Sequence, residues 1–363
     1  MKKLALLLII SLYGINSFAT WRYETSTDTI NDGPYIFYVN DTLYAITVEN
    51  SVIKEYQLTP ENFSSLKPSL GLSGGYRDLL RVFYEKTDYR QSFKKVDSIV
   101  AISDVHGQYT TYIDHLTANG VIDEKLNWKF GKGHLVFLGD GFDRGSMVTE
   151  ILWHLFDLER QAKKAGGRVH VMIGNHEGMV LSGDLRYLNE KYRKVEELIN
   201  VPFYNLFSEN SVLGKWLRTR PVMVTINDIL FVHAGVSMEM ARRQFMVKEV
   251  NEIFSGKIIG QTSDTIYNDP AVDFLTGNDG PLWFRGYFTD TAFSESQLDS
   301  ILLLYGVNHI VVGHTTQTEM QTLFNNKIFG IDTGIVNEEP GEVLLYKEGA
   351  FYRCSIKGKR TRL

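Results

Sequence analysis

From Lys95 onward the chain repeats one pattern: a short apolar run that ends abruptly in polar residues. SIVAISD, HLVFLGD, VHVMIGN, ILFVHAG, HIVVGHT and IFGIDTG all have this form. Runs that are apolar at consecutive positions predict strands buried on both faces. Helical patterns lie between several of them. In SMVTEILWHLFDLERQAKKAG the apolar positions fall at helical spacing, and Gly166 supplies the stop. Strands alternating with helices predict a layered α/β architecture. In such sheets functional residues collect just beyond the carboxyl ends of the strands. Residues 20–95 have another texture. PYIFYVNDTLYAITVENSVIKEYQL predicts three short strands broken at Asn40-Asp41 and at Glu49-Asn50-Ser51, with a helical exit near YRDLLRVFYEK. The pattern therefore divides the chain into an accessory β-rich region, 20–95, a main domain, 96–356, and a basic tail, 357–363.

The first 19 residues stand apart. Lys2 and Lys3 precede an apolar run from Leu4 to Ile15, and Ser17-Phe18-Ala19 has the small-x-small form of a secretory cleavage site. Twelve apolar residues fall short of the roughly 20 that span a bilayer. A signal peptide cleaved after Ala19 is expected, which makes the protein exported, periplasmic or secreted, with no membrane insertion afterwards. Its removal takes away two lysines and no acids, so the formal charge of −5 becomes −7. That balance disfavours non-specific nucleic-acid binding, which needs basic surface. Cys354 is the only cysteine, so no internal disulfide can form, and no thiol follows the cleavage site for lipid attachment.

The strand exits carry the chemistry. Asp104 and His106 follow the first, Asp140, Asp143 and Arg144 the second, Asn175 and His176 the third, His233 the fourth and His314 the fifth. Of the nine histidines, His115, His134, His154, His170 and His309 lie within helical or strand patterns and read as structural. The other four stand at exits with Gly or Asp beside them. Oxygen and imidazole ligands without thiolates suit Mn, Fe or Zn better than Mg. A carboxylate with two oxygens can bridge two cations about 3.5–4 Å apart, and Asp140 is placed to do so.

The ordered set DVHG, GDGFDRG, GNHE, VHAG and GH, spread over about 210 residues, resembles the calcineurin-like metallophosphoesterase superfamily and, within it, the phosphoprotein phosphatase family. NDGPLWFRGYF at 278–288 and RPVM at 220–223 are similar to the Shewanella-like bacterial branch. The resemblance implies a four-layer α/β sandwich. It implies that Asp104, His106 and Asp140 hold one metal and that Asp140, Asn175, His233 and His314 hold the other. The chain departs from relatives in three places. Thr316 stands where many members have a second histidine, Asp143 stands where purple acid phosphatases have tyrosine, and GIDTGI lacks the late tyrosine of phosphoprotein phosphatases.

The implied reaction is hydrolysis of a phosphate monoester, protein-borne or small, by in-line attack of a metal-bound hydroxide. Arg144 and Arg285 would clamp the phosphoryl oxygens through their planar forks. His176 would protonate the leaving oxygen, with Asp143 holding its other nitrogen. No obligate protein partner is evident. The rival readings are a diadenosine tetraphosphatase-like nucleotide hydrolase, which typically reads GNHD where this chain has Glu177, and an exported binding protein that keeps metal for structure only.

Overall fold

The structure is a computed structural model that describes residues 29–84, 90–261 and 269–363. The predicted signal peptide, 1–19, lies outside the described residues. No helix among the described residues is long and apolar enough to cross a membrane. Contacts divide the chain into two compact units. One runs to Phe83 and takes in Asn189–Lys215; the other contains Tyr84–Leu188 and Trp216–Leu363.

In the first unit, β1 (Asp32–Val39), β2 (Thr42–Glu49) and β3 (Val52–Leu58) form an antiparallel meander. These are the three expected strands. The two-residue turns Asn40-Asp41 and Asn50-Ser51 have positive φ at both positions, from +46° to +62°. Asn and Asp tolerate that conformation best among residues with a side chain, and it matches the twist of the flanking strands. The expected helical exit is the helix Tyr76–Tyr84. The sequence reading runs residues 96–356 as one block, whereas the contacts attach Asn189–Lys215 to this meander. Three interactions carry that assignment: Lys191 Nζ pairs with the buried Asp32 at 2.9 Å, Tyr38 N donates to Asn210 O at 2.7 Å, and the Phe207 ring meets Tyr35 edge-on.

The second unit contains two six-stranded sheets. The short strands are β4 (Ser92–Phe93), β5 (Ser98–Ile102), β6 (His134–Phe137), β7 (Arg168–Val171), β8 (Met223–Ile226) and β9 (Ile229–Val232). They are followed by β10 (His309–Val312), β11 (Gln321–Leu323), β12 (Ile328–Gly330), β13 (Glu342–Lys347), β14 (Ala350–Ser355) and β15 (Arg360–Arg362). One sheet has the order β11-β12-β10-β9-β8-β4 and the other β15-β14-β13-β5-β6-β7. Their centres are parallel: β5, β6 and β7 in one, β9, β10 and β12 in the other. Val136, Ala101 and Leu344 of one sheet share a buried core with Phe231, Val311 and Phe329 of the other. Helices cover the outer faces, Val148–Ala165 beside β7 and Val247–Ile253 beside β8. The result is the expected α/β sandwich.

Local chemistry explains the elements. The helix Val148–Ala165 ends where Gly166 adopts φ +82° and donates to Ala162 O and Lys163 O, the glycine stop read from the sequence. The basic tail 357–363 is exposed, and β15 within it forms the edge strand of its sheet by pairing with β14.

Candidate active site

Because the parallel strands of both sheets end on the same side, their exit loops converge. Asp104 and His106 follow β5, Asp140 to Arg144 follow β6, Asn175 and His176 follow β7, His233 follows β9 and His314 follows β10. The loops bend sharply to do this. Asp104, His106, Asp140, Asp143, Arg144 and His314 all have φ between +42° and +68°. Non-glycine residues held in that region cost on the order of 1–3 kcal/mol each and persist only where surrounding contacts over-determine them. Glycines let the loops approach: a Cβ on Gly139 would lie 2.5 Å from Gly174 N, and one on Gly145 would lie 2.2 Å from His106 O.

Glu177 is the staple. Its buried carboxylate accepts from the amides of Asp140 (2.8 Å), Gly174 (2.7 Å), Gly141 (2.7 Å) and Phe142 (3.3 Å), so one side chain ties the β6 exit to the β7 exit. In the sequence Glu177 only separates GNHE from the GNHD of nucleotide hydrolases. Three of those four amides lie 35 to 37 positions away, which no local pattern reports.

Around Asp140 the side chains form two overlapping groups. His106, Asp140 and His176 bring one ligand atom each within 4.8 Å of one another, and so do Asp140, His233 and His314. Asp140 belongs to both. Its Oδ2 lies 3.3 Å from His233 Nε2, 3.6 Å from His106 Nε2 and 4.0 Å from His176 Nε2. Asn175 Oδ1 joins the second group at 2.9 Å from His233 Nε2. Asp104 stands beside them and belongs to neither triad, its carboxylate accepting from His314 N at 3.0 Å and from the Ser103 hydroxyl. Backbone carbonyls orient two of the rings, Phe142 O at 2.8 Å from His106 Nδ1 and Leu138 O at 2.8 Å from His233 Nδ1. That leaves each Nε2 facing inward, as a metal-binding imidazole requires.

The electrostatics fit a cation. Asp104, Asp140, Asp143, Glu177 and Asp332 are all buried together. Burial, then the neighbouring Asp332 charge, holds Asp104 well above the usual carboxylate range. Burial pushes Asp140 up as well, but His233 and the other imidazoles outweigh it and hold that carboxyl well below its usual value. Burial lowers His233, yet Asp140 prevails and raises it to about 10. His314 goes the other way, lowered to about 2 by burial, His233 and Arg285, and its buried Nε2 has no hydrogen-bond partner among the described residues. An inward-facing neutral imidazole beside clustered carboxylates is a donor set that divalent cations match.

His176 has a different setting. Its Nδ1 lies 2.6 Å from Asp143 Oδ2, and both residues are buried. Burial lowers its pKa, but the hydrogen bond it donates to Asp143 and the charge of Asp140 outweigh it, so the net shift is upward. Arg144 is exposed at the rim, with its guanidinium 4.9 Å from the centre of the Tyr187 ring. Arg285 also reaches the site. Its Nη1 donates to His314 O at 2.7 Å and lies 3.4 Å from Thr315 Oγ1. Trp283 packs edge-on to the His314 ring at 5.7 Å, while Phe284 is buried beside Tyr287.

Two residues here were given no role in the sequence reading. Asp332, after β12, is buried and accepts from Thr316 Oγ1 at 2.7 Å and from Gly334 N at 3.2 Å. It had the same signal as the others, a carboxylate at a strand exit followed closely by glycine. Tyr187 had none.

Comparison with known proteins places these loops in a family context. Residues 98–317 match the calcineurin-like phosphoesterase family. Shewanella-like protein phosphatase 1 of Plasmodium berghei (strain Anka) is 31% identical over 70% of this chain and 70% of that one. Shewanella-like protein phosphatase 2 of Arabidopsis thaliana is 26% identical over 67% of this chain and 72% of that one. Among solved structures, the cold-active protein-tyrosine phosphatase of a psychrophilic Shewanella species is similar with a TM-score of 0.83 and 35% identity, over 92% of this chain and 100% of that one.

Proposed function

The chain belongs to the calcineurin-like phosphoesterase family, and from that premise we propose that it is an exported, two-metal phosphatase hydrolysing phosphate monoesters of proteins. The observation that carries this reading is Asp140, shared by two triads of ligating side chains, one of which contains His176, itself paired with Asp143. Asp104, His106 and Asp140 would hold one cation, and Asp140, Asn175, His233 and His314 the other, with Mn, Fe or Zn suited to this donor set. Bound there, the cations supply Lewis-acid charge and an activated water.

The chain's own residues do the rest. Arg144 and Arg285 bind the phosphoryl oxygens, where a guanidinium fork matches charge spread over several atoms. His176 Nε2 gives its proton to the departing alkoxide or phenoxide oxygen. Asp143 keeps the proton on Nδ1 and stabilises the imidazolium beforehand. Export rests on the leader alone. The names of the relatives support a phosphoprotein substrate, phosphotyrosine in the Shewanella protein and protein phosphates in the others.

The test is a panel of phosphotyrosine and phosphoserine peptides, p-nitrophenyl phosphate and a dinucleoside tetraphosphate, run on the chain from Thr20 with chelator and with added Mn. Mn-restored turnover of a phosphopeptide is expected. Turnover of the dinucleotide alone would overturn the substrate assignment, and no turnover of any ester would overturn the enzyme.

A further inference from the structure

Tyr187 touches two of the residues placed in the reaction without being near them in sequence. Its carbonyl accepts from Arg144 N at 3.0 Å, which holds Arg144 in its left-handed backbone conformation at φ +63°. Its ring lies 4.9 Å from the Arg144 guanidinium carbon and 5.3 Å from the centre of the His176 ring. It is 41% exposed, so the ring fills no core. The ring faces cations on more than one side, the Arg186 guanidinium carbon also lying 5.8 Å from its centre.

Resting on the phosphate role of Arg144 proposed above, we infer that Tyr187 is a positioning residue whose ring holds the Arg144 guanidinium at the rim in the orientation that binds the phosphoryl group. Arg144 is exposed between buried neighbours, and a long side chain there loses rotamer freedom when a ligand orders it. An aromatic face restricts its rotamers by attracting the planar cation. Pre-ordering removes part of the entropy that binding would otherwise cost. The ring supplies this attraction, and the phenol hydroxyl is not needed for it. Substitution of the side chain leaves the carbonyl bond to Arg144 N in place, so the ring can be tested by itself.

The experiment compares Tyr187→Leu, Tyr187→Phe, Arg144→Ala and the Leu/Ala double variant, reading KM, kcat, the inhibition constant for inorganic phosphate, and metal content. Tyr187→Leu should raise KM and the phosphate constant together by about two- to five-fold, the range of an exposed cation–π contact. Its kcat and metal content should be unchanged. Tyr187→Phe should behave as the parent, and in the Arg144→Ala background Tyr187→Leu should add nothing. An unchanged phosphate constant in Tyr187→Leu overturns the inference while leaving Arg144 in its role. Additive losses in the double variant, or equal damage from Phe and Leu, overturn it as well. A fall in kcat on poor leaving groups at constant KM would move the effect to His176 and also overturn it. If Arg144→Ala itself leaves phosphate inhibition alone, the underlying role of Arg144 fails, and the inference with it.

Discussion

At the carboxyl ends of β6 and β7 stand Asp140, Asp143, Asn175 and His176; the amino end of β6 holds His134, with His170 of β7 against it, and both are buried. His170 Nε2 lies 3.0 Å from His134 Nδ1, and both rings pack edge-on to Phe93, with the Arg168 guanidinium 4.7 Å from the centre of that ring. Burial, then the charge of Arg168, lowers His134 to about 4. Burial and His134 push His170 well below its usual value. No carboxylate is among the causes of either shift. At the other end burial is just as severe, but carboxylates reverse it for His233 and His176. The lesson is that burial by itself turns histidine into a neutral packing ring. Its chemistry comes from the charges buried with it.

The largest test breaks the carboxyl end. Asp140→Asn should lose both cations and lower activity by at least about 10⁴-fold, since metal charge contributes several kcal/mol and each ~1.4 kcal/mol is tenfold. Asp104→Asn, outside both triads, should retain more metal. Elemental analysis showing full occupancy in Asp140→Asn would count against bridging.

His176 decides between two uses of an imidazole at that end, because it belongs to one ligating triad and also pairs with Asp143. His176→Asn is expected to lower kcat about 10²–10⁴-fold on poor leaving groups, less on p-nitrophenyl phosphate, with metal content intact. A loss of metal, or equal losses on both substrates, would make it a ligand and not the acid.

The amino end should respond to acid. An unfolded histidine takes up a proton near pH 6.5, whereas folded His134 refuses it until about 4. The folded state is therefore at full strength above pH 6.5 and loses stability as pH falls toward 4, by up to about 3 kcal/mol from this residue. Denaturant melts of the chelated protein at pH 7 and pH 4.5 should show a smaller drop in His134→Gln than in the parent. An identical drop would mean that His134 is protonated in the fold.

The smallest contrast uses two arginines. Arg285→Ala should raise KM and weaken phosphate inhibition about tenfold, the scale of a charged hydrogen bond, and Arg285→Lys should already impair binding because a point charge lacks the fork. Arg168→Ala, at the amino end, should lower the melting temperature and leave phosphate inhibition alone. An unchanged inhibition constant in folded Arg285→Ala would assign Arg285 to holding His314 O.

Much of this was legible along the chain. Apolar runs ending in Asp, Asn or His marked each strand exit, because a strand buried on both faces has to be apolar up to the point where it leaves the sheet. The Asn40-Asp41 and Asn50-Ser51 turns and the Gly166 stop were equally plain, since each depends on the backbone preference of the residue itself. Thus the sequence by itself determined the elements, their order and the chemical types gathered at one edge. Tertiary structure alone decided which partners those types meet. Asp104 accepts from an amide 210 residues away, Thr316 bonds Asp332, Tyr187 lies against Arg144, and Asn189–Lys215 joins the N-terminal meander. Periodicity reports which face of an element is buried; it carries no record of which distant side chain arrives there. Whether a buried carboxylate ends beside an imidazole, an amide or a second carboxylate depends on that arrival.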